Sequence, residues 1–133
     1  MSRENVDLTR EVLDAFTRRD LDAYLVLTDP EIEFTPYEVA VQGGSPYRGH
    51  EGIRRWWEET FSVIPDVRPE VYEIRDSGEM TFVRVCLRGQ GASSGAPFTR
   101  DLFIAAQWRE AKLTRWHTFE TEAEALEAAG LRE

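Results

Sequence analysis

Apolar residues recur along this chain with two periods, and the change from one to the other falls near its middle. Ile53, Trp57, Phe61 and Ile64 return every three or four residues, which places them on one face of a helix. Trp56 flanks that face, while Arg54, Arg55, Glu58 and Glu59 turn towards water. Tyr47-Arg48-Gly49-His50-Glu51-Gly52 reads as the turn that feeds this helix, and Pro65 closes it. Two adjacent indoles bury a large area and need a broad partner, most simply a sheet. Upstream, the pattern predicts a helix over 4–18, with Val6, Leu13 and Phe16 near one stripe and Val12 beside it. Arg18 and Arg19 suit its carbonyl end. Asp20 caps a second, short helix whose inner face is Leu21, Tyr24, Leu25 and Thr28, and Asp29-Pro30 stops it.

Between residues 31 and 120 the period drops to two outside the Trp-Trp helix and the loop that precedes it. Glu31-Ile32-Glu33-Phe34-Thr35 alternates as a half-buried strand does, and Pro36 ends it. Residues 37–46 read as an apolar loop, a flap over something, carrying Val39, Val41, Gly43 and Gly44. Strands are predicted over 67–75, 80–89, 98–109 and 113–120, with turns at Asp76-Ser77-Gly78 and Glu110-Ala111 and a wide Gly/Ser-rich end over 89–95. On the second of these, Val83, Val85 and Leu87 mark one face and Arg84, Cys86 and Arg88 the other. Thr121 with Glu124 forms a capping box for a last short helix, which packs Ala125, Leu126 and Ala129 inward and ends at Gly130-Leu131. Neither repeat nor linker interrupts the order, so residues 1–133 are expected to fold as one α+β domain.

Composition narrows the function classes. A chain of 133 residues with 41% hydrophobic and 31% charged residues can bury one core and a pocket. The net charge of −9, from 16 basic and 25 acidic residues, repels a phosphate backbone, so no nucleic acid partner is expected. Without a run of about 18 apolar residues, no membrane span is expected. The charged N-terminus has no apolar signal core, which predicts the cytoplasm. A single cysteine, Cys86, in an apolar strand predicts a small buried side chain and no internal disulfide.

The order of elements, the motif Tyr47-Arg48-Gly49-His50-Glu51-Gly52-Ile53 and the ending Glu124-Ala125-Leu126-Glu127-Ala128-Ala129-Gly130-Leu131 resemble SnoaL-like proteins of the nuclear transport factor 2-like superfamily. The resemblance covers nearly the whole chain. It implies a cone-shaped, cystatin-like fold: a curved antiparallel sheet wrapped around a long helix, with two N-terminal helices, a short C-terminal helix and a pocket at the open end. It also implies a homodimer packed through the sheet. Members include polyketide cyclases, ketosteroid isomerases, epoxide hydrolases, dehydratases and non-enzymatic modules, so the fold does not choose the reaction. Three carboxylate positions of the enzymes are filled otherwise here. Thr35-Pro36 stands where isomerases have Asp-Pro, Thr118-Phe119 stands at the final-strand Asp, and Ile104 stands at the isomerases' protonated Asp.

The remaining ionisable residues give one catalytic candidate. Asp101 and His117 lie on the two last strands and would form a dyad if they shared the inner face. However, Phe98, Leu102, Ile104, Ala106 and Trp108 form the apolar set of their strand, and if that set lines the core, Asp101 faces out. Arg84 or Arg88 could hold a carboxylate or enolate oxygen, against an outward placement on a half-exposed strand. His50 reads as structural, and no cysteine, histidine and carboxylate spacing suits a metal, so neither metal nor cofactor is expected.

The aromatic residues, among them Tyr24, Phe34, Trp57, Phe61, Phe103 and Phe119, are expected around a concave apolar site or in the core beside it. The expected ligand-contacting set is Thr35, Tyr37, Trp56, Arg84, Trp116 and Thr118, suited to a flat, hydrophobic or polyketide-like molecule. The leading expectation is therefore a homodimer that binds such a molecule in the cone, with cyclase- or isomerase-type proton transfer as its chemistry. The alternative is a non-catalytic interaction module whose cone is filled by side chains. A hydrolase or dehydratase needs a paired acid and base that these residues do not locate.

Overall fold

A computed structural model describes residues 2–131, with side chains from Glu4 onward. Helix α1 (Ser2–Thr17) and helix α2 (Leu21–Val26) lead into strand β1 (Thr28–Thr35). Helix α3 (Tyr37–Gln42), strand β2 (Tyr47–Arg48) and the Trp-Trp helix α4 (Gly49–Val63) follow. Strands β3 (Arg68–Ser77), β4 (Met80–Gln90), β5 (Pro97–Arg109) and β6 (Lys112–Phe119) then run in sequence to helix α5 (Glu122–Ala128). The strands form one curved, unclosed sheet in the order β2-β1-β6-β5-β4-β3.

The sheet is mixed rather than wholly antiparallel. β1 runs parallel to β6, with Phe34 opposite Trp116 and Thr35 opposite His117. A hairpin cannot join parallel neighbours, and the connection between these two spans α3, α4 and four strands. Pro30 lies inside β1 rather than stopping α2. It sits within the irregular stretch between Thr28 and Glu33, where its missing N–H interrupts no regular ladder. The concave face also holds two helices, not one: α1 lies over β3 and β4, and α4 over β1.

Strand alternation sorts the two faces. Val83, Val85, Leu102, Ile104 and Ala106 join the main core beneath α1 and α4. Phe82 and Ala105 point the other way, into a second cluster with Ala125, Leu126 and Ala129 of α5. The N-terminus of α5 is capped as the sequence predicts, the Glu124 amide donating to Thr121 Oγ1 at 3.3 Å. Its C-terminus closes with the Leu131 amide on the Leu126 carbonyl and the Gly130 amide on Glu127, the doubled bond of a Schellman end.

At the start of α4, Gly49 takes φ 68°, and a Cβ there would lie 3.0 Å from the Pro30 carbonyl oxygen. Both the left-handed backbone and the close approach favour glycine in this turn. His50 Nε2 lies 2.9 Å from the Thr28 carbonyl oxygen and ties the helix to β1, a structural role. Arg19 follows α1 at φ 62° and donates to the carbonyls of Phe16, Pro65 and Val67 while stacking 4.0 Å from the Phe61 ring centre. It thereby ties the end of α1 to the chain leaving α4.

The segment read as a loop over 37–46 contains α3 instead. Pro36 precedes its first turn and Gly43, at φ 84°, ends it. None of its residues is buried, so there was no apolar stripe for periodicity to detect.

Under α1 at one end of the core, Trp108 Nε1 donates to Thr9 Oγ1 at 3.0 Å, and Thr9 Oγ1 donates to the Asn5 carbonyl at 2.7 Å. Thr9→Val keeps the shape but leaves the buried indole N–H without its acceptor. Urea unfolding should therefore show a loss of about 1–3 kcal/mol.

Candidate functional site

Between α1, α2, α4 and the sheet runs an apolar cleft. Leu13 and Phe16 of α1, Tyr24 of α2, and Trp56 and Thr60 of α4 form its helical side. Phe34, Val85, Leu102, Ile104, Trp116 and Thr118 form its sheet side. Its partly exposed rim is Tyr37, Glu38, Pro69 and Leu87, with Pro36 buried beside them. The rings are closely set: Phe34 lies 4.3 Å from Trp56 and 6.1 Å from Trp116, nearly parallel to the latter. The cavity volume is about 70 Å³, room for roughly five waters at ~10–15 Å³ each. A guest larger than that must part the walls.

Polar atoms inside this cleft, away from its rim, are few and neutral. The hydroxyls of Tyr24 and Thr118, both buried residues, make no hydrogen bond to the described residues, and neither do the indole N–H groups of Trp56 and Trp116. Burial pushes the Tyr24 phenol well above its ordinary range, so it remains a protonated donor at neutral pH. Glu38, exposed on the rim, is the only carboxylate lining the cleft among the described residues. The arrangement can therefore grip a flat apolar body and donate hydrogen bonds to an oxygen on it.

A family profile described as the SnoaL-like domain matches residues 9–116. The chain belongs to the SnoaL-like family. Solved structures agree on the fold. A nuclear transport factor 2-like protein of unknown function from Burkholderia pseudomallei superposes with a TM-score of 0.77 at 23% identity, covering 93% of this chain and 95% of that one. TerC, co-crystallised with polyporic acid, gives 0.77 at 21%, covering 96% and 98%. IdmH from Streptomyces antibioticus, a proposed polyketide cyclase, gives 0.75 at 22%, covering 94% and 97%. None of the curated proteins matches.

The SnoaL-like cleft contains four of the residues expected at the site: Tyr37, Trp56, Trp116 and Thr118. The structure places the other four on the convex face. Thr35 pairs with His117 and points away from the cleft, as alternation requires with Phe34 and Trp116 turned inward. Arg84 is exposed, 5.5 Å from the Tyr72 ring centre. Arg88 shares this face and bonds Glu70 and Tyr72.

The Asp101–His117 dyad is not assembled. Asp101 pairs with Cys86, whereas His117 pairs with Ala105, four positions farther along β5. That offset is about 13 Å at ~3.3 Å per residue. Phe103 and Phe119 also lie outside, on the rim of the α5 cluster, with the Phe119 ring 4.4 Å from the His117 ring. Cys86 is buried, as expected of a small apolar side chain.

Sequence reasoning gave no role to Glu38 or Arg100. Arg100 Nη1 donates to the Tyr37 hydroxyl at 3.1 Å, and its guanidinium carbon lies 4.5 Å from that ring's centre. The signal was present: the alternation that turns Asp101 outward turns Arg100 inward, beside Leu102.

His117 Nδ1 is buried without a hydrogen-bond partner among the described residues. Burial first, then the charge of Arg115, lowers the histidine's pKa, with Glu33 opposing. Above the unfolded value of 6.5 both states are neutral and this contribution to stability is complete. As pH falls through 6.5, the unfolded chain protonates first, and stability declines until the lower folded value is passed. Melting temperatures measured from pH 7.5 to pH 5 should fall less steeply for His117→Gln than for the wild type.

Proposed function

We infer that this SnoaL-like chain binds a flat, predominantly apolar small molecule of polyketide type in the cleft between α4 and the sheet. The observation that carries this reading is the set of residues with unpartnered donors that line the aromatic cleft. A sealed core satisfies its polar groups internally, whereas Tyr24, Thr118 and two indoles keep theirs free beside a cavity. The likeness to TerC, co-crystallised with polyporic acid, and to IdmH supports the same class of guest.

Of isomerase- or cyclase-type chemistry the cleft supplies one half, donors for a developing oxyanion, and no buried group among its described lining residues is a base that could take the proton. The Tyr24 phenol, kept protonated by burial, and the Thr118 hydroxyl would polarise a guest carbonyl and stabilise developing negative charge on its oxygen. Two copies pair through the convex face, where Tyr72 is exposed and Phe103 and Phe119 are half covered. A single monomer mass in sedimentation equilibrium would remove that part of the reading.

The small cavity favours a second reading, a non-catalytic module with a filled cone, and binding separates the two. Trp56 and Trp116 line the cleft, so titration with hydroxylated naphthoquinones and anthraquinones should quench intrinsic fluorescence and raise the melting temperature. Thr118→Val should leave stability within about 0.5 kcal/mol, since its hydroxyl has no partner to lose, while weakening binding of the carbonyl-bearing probes. A panel that leaves both signals unchanged favours the filled module.

A further inference from the structure

We propose that Arg100 makes the cleft selective for acids: its guest carries a carboxylate, or an equally acidic enol or phenol, at the end that lies against α3. This rests on the cleft being a binding site and adds the chemical class of the guest.

Four observations support it. Arg100 stands on the inner face of β5, opposite Leu87 and two residues before Leu102, both of which line the cleft. Its Nη1 donates to the Tyr37 hydroxyl and its guanidinium carbon lies 4.5 Å from the centre of the Tyr37 ring, two contacts that hold the group at the rim. Among the described residues it forms no ion pair, Glu38 included, and its Nε and Nη2 donate to none of them. No arginine or lysine lines the cleft itself, so no described cation competes for this role.

The free Nε–Nη2 edge is the planar pair of donors that matches a carboxylate with two parallel hydrogen bonds. A neutral amide or ester at that end would gain only an ordinary hydrogen bond. The protein as a whole, at net charge −9, repels an acid. That field is screened over about 8 Å at physiological salt, so the charge adjacent to the guest decides.

The test uses 2-naphthoic acid and its neutral isostere 2-naphthamide, titrated into the wild-type chain with tryptophan fluorescence as readout. The wild type should bind the acid about tenfold more tightly than the amide, as expected of a charge-assisted bidentate contact. Arg100→Gln should remove that preference by weakening the acid alone, leaving the amide within about twofold. Arg100→Lys should recover part of it. Tyr37→Phe, which removes the hydrogen bond holding Arg100, should retain a preference for the acid.

Equal binding of acid and amide by the wild type would overturn acid selectivity while leaving the cleft reading intact. An equal loss of both probes in Arg100→Gln would show that Arg100 serves only to pack Tyr37, which also overturns it. Binding of neither probe by the wild type would reject the cleft reading, and this proposal with it.

Discussion

Aromatic rings from α1, α2, α4, β1 and β6 meet around Phe16 and Trp56, and the placement of the remaining elements depends on that meeting. Phe16 lies 5.6 Å from Trp56, 5.5 Å from Trp57 and 5.0 Å from Phe61, so one residue of α1 engages three of α4. Tyr24 reaches both indoles from α2, and Phe34 links Trp56 to Trp116 across the sheet. Each such pair adds about 0.5–1.5 kcal/mol beyond the area it buries. The ion pairs, by contrast, join side chains that are at least partly exposed, as in Arg18–Asp14 and Arg109–Glu79. Exposed pairs contribute about 0–1 kcal/mol each. The rings therefore decide how the helices sit, and the charges decorate the result.

The cleft is a by-product of that packing. Flat rings set at angles of 23° to 80° around Phe16 cannot fill the space between helix and sheet completely. What remains is bounded by ring faces and edges, with polar atoms only where a tyrosine, threonine or tryptophan ends. Four of the ionisable groups are segregated from it: Asp101, His117, Arg84 and Arg88 share the convex side, Glu38 and Arg100 stand at the rim, and the cleft interior is left to neutral donors.

The elements with a strong period were legible before any coordinates. The stripe Ile53, Trp57, Phe61 specified α4, and the alternation of Val83, Val85 and Leu87 specified the inner face of β4, because burial on one side leaves a repeat in the residue types. Helix α3 left no repeat, since nothing in it is buried. The parallel pairing of β1 with β6 is a long-range contact that local pattern does not encode. Half of the expected site was misplaced for a related reason. Thr35 and His117 are polar residues in strands, and polarity alone does not say which face a residue takes. Only their apolar neighbours do, and reading Phe34 and Trp116 as inward would have sent both outward. The same bookkeeping along β5, carried one residue past Asp101, points to Arg100.

Helix α3 has a kinetic consequence. Six residues are too few for a helix to hold its shape unaided in water, where about 12–15 are needed even for favourable sequences. With no fully buried side chain, α3 depends on its contact with β6, on Tyr37 packed against the core edge and bonded to Arg100, and on the chain at either end. Its melting is thus a low-energy excursion, independent of global unfolding. One turn and a half of backbone beside the cleft can therefore loosen while the rest of the fold stays rigid.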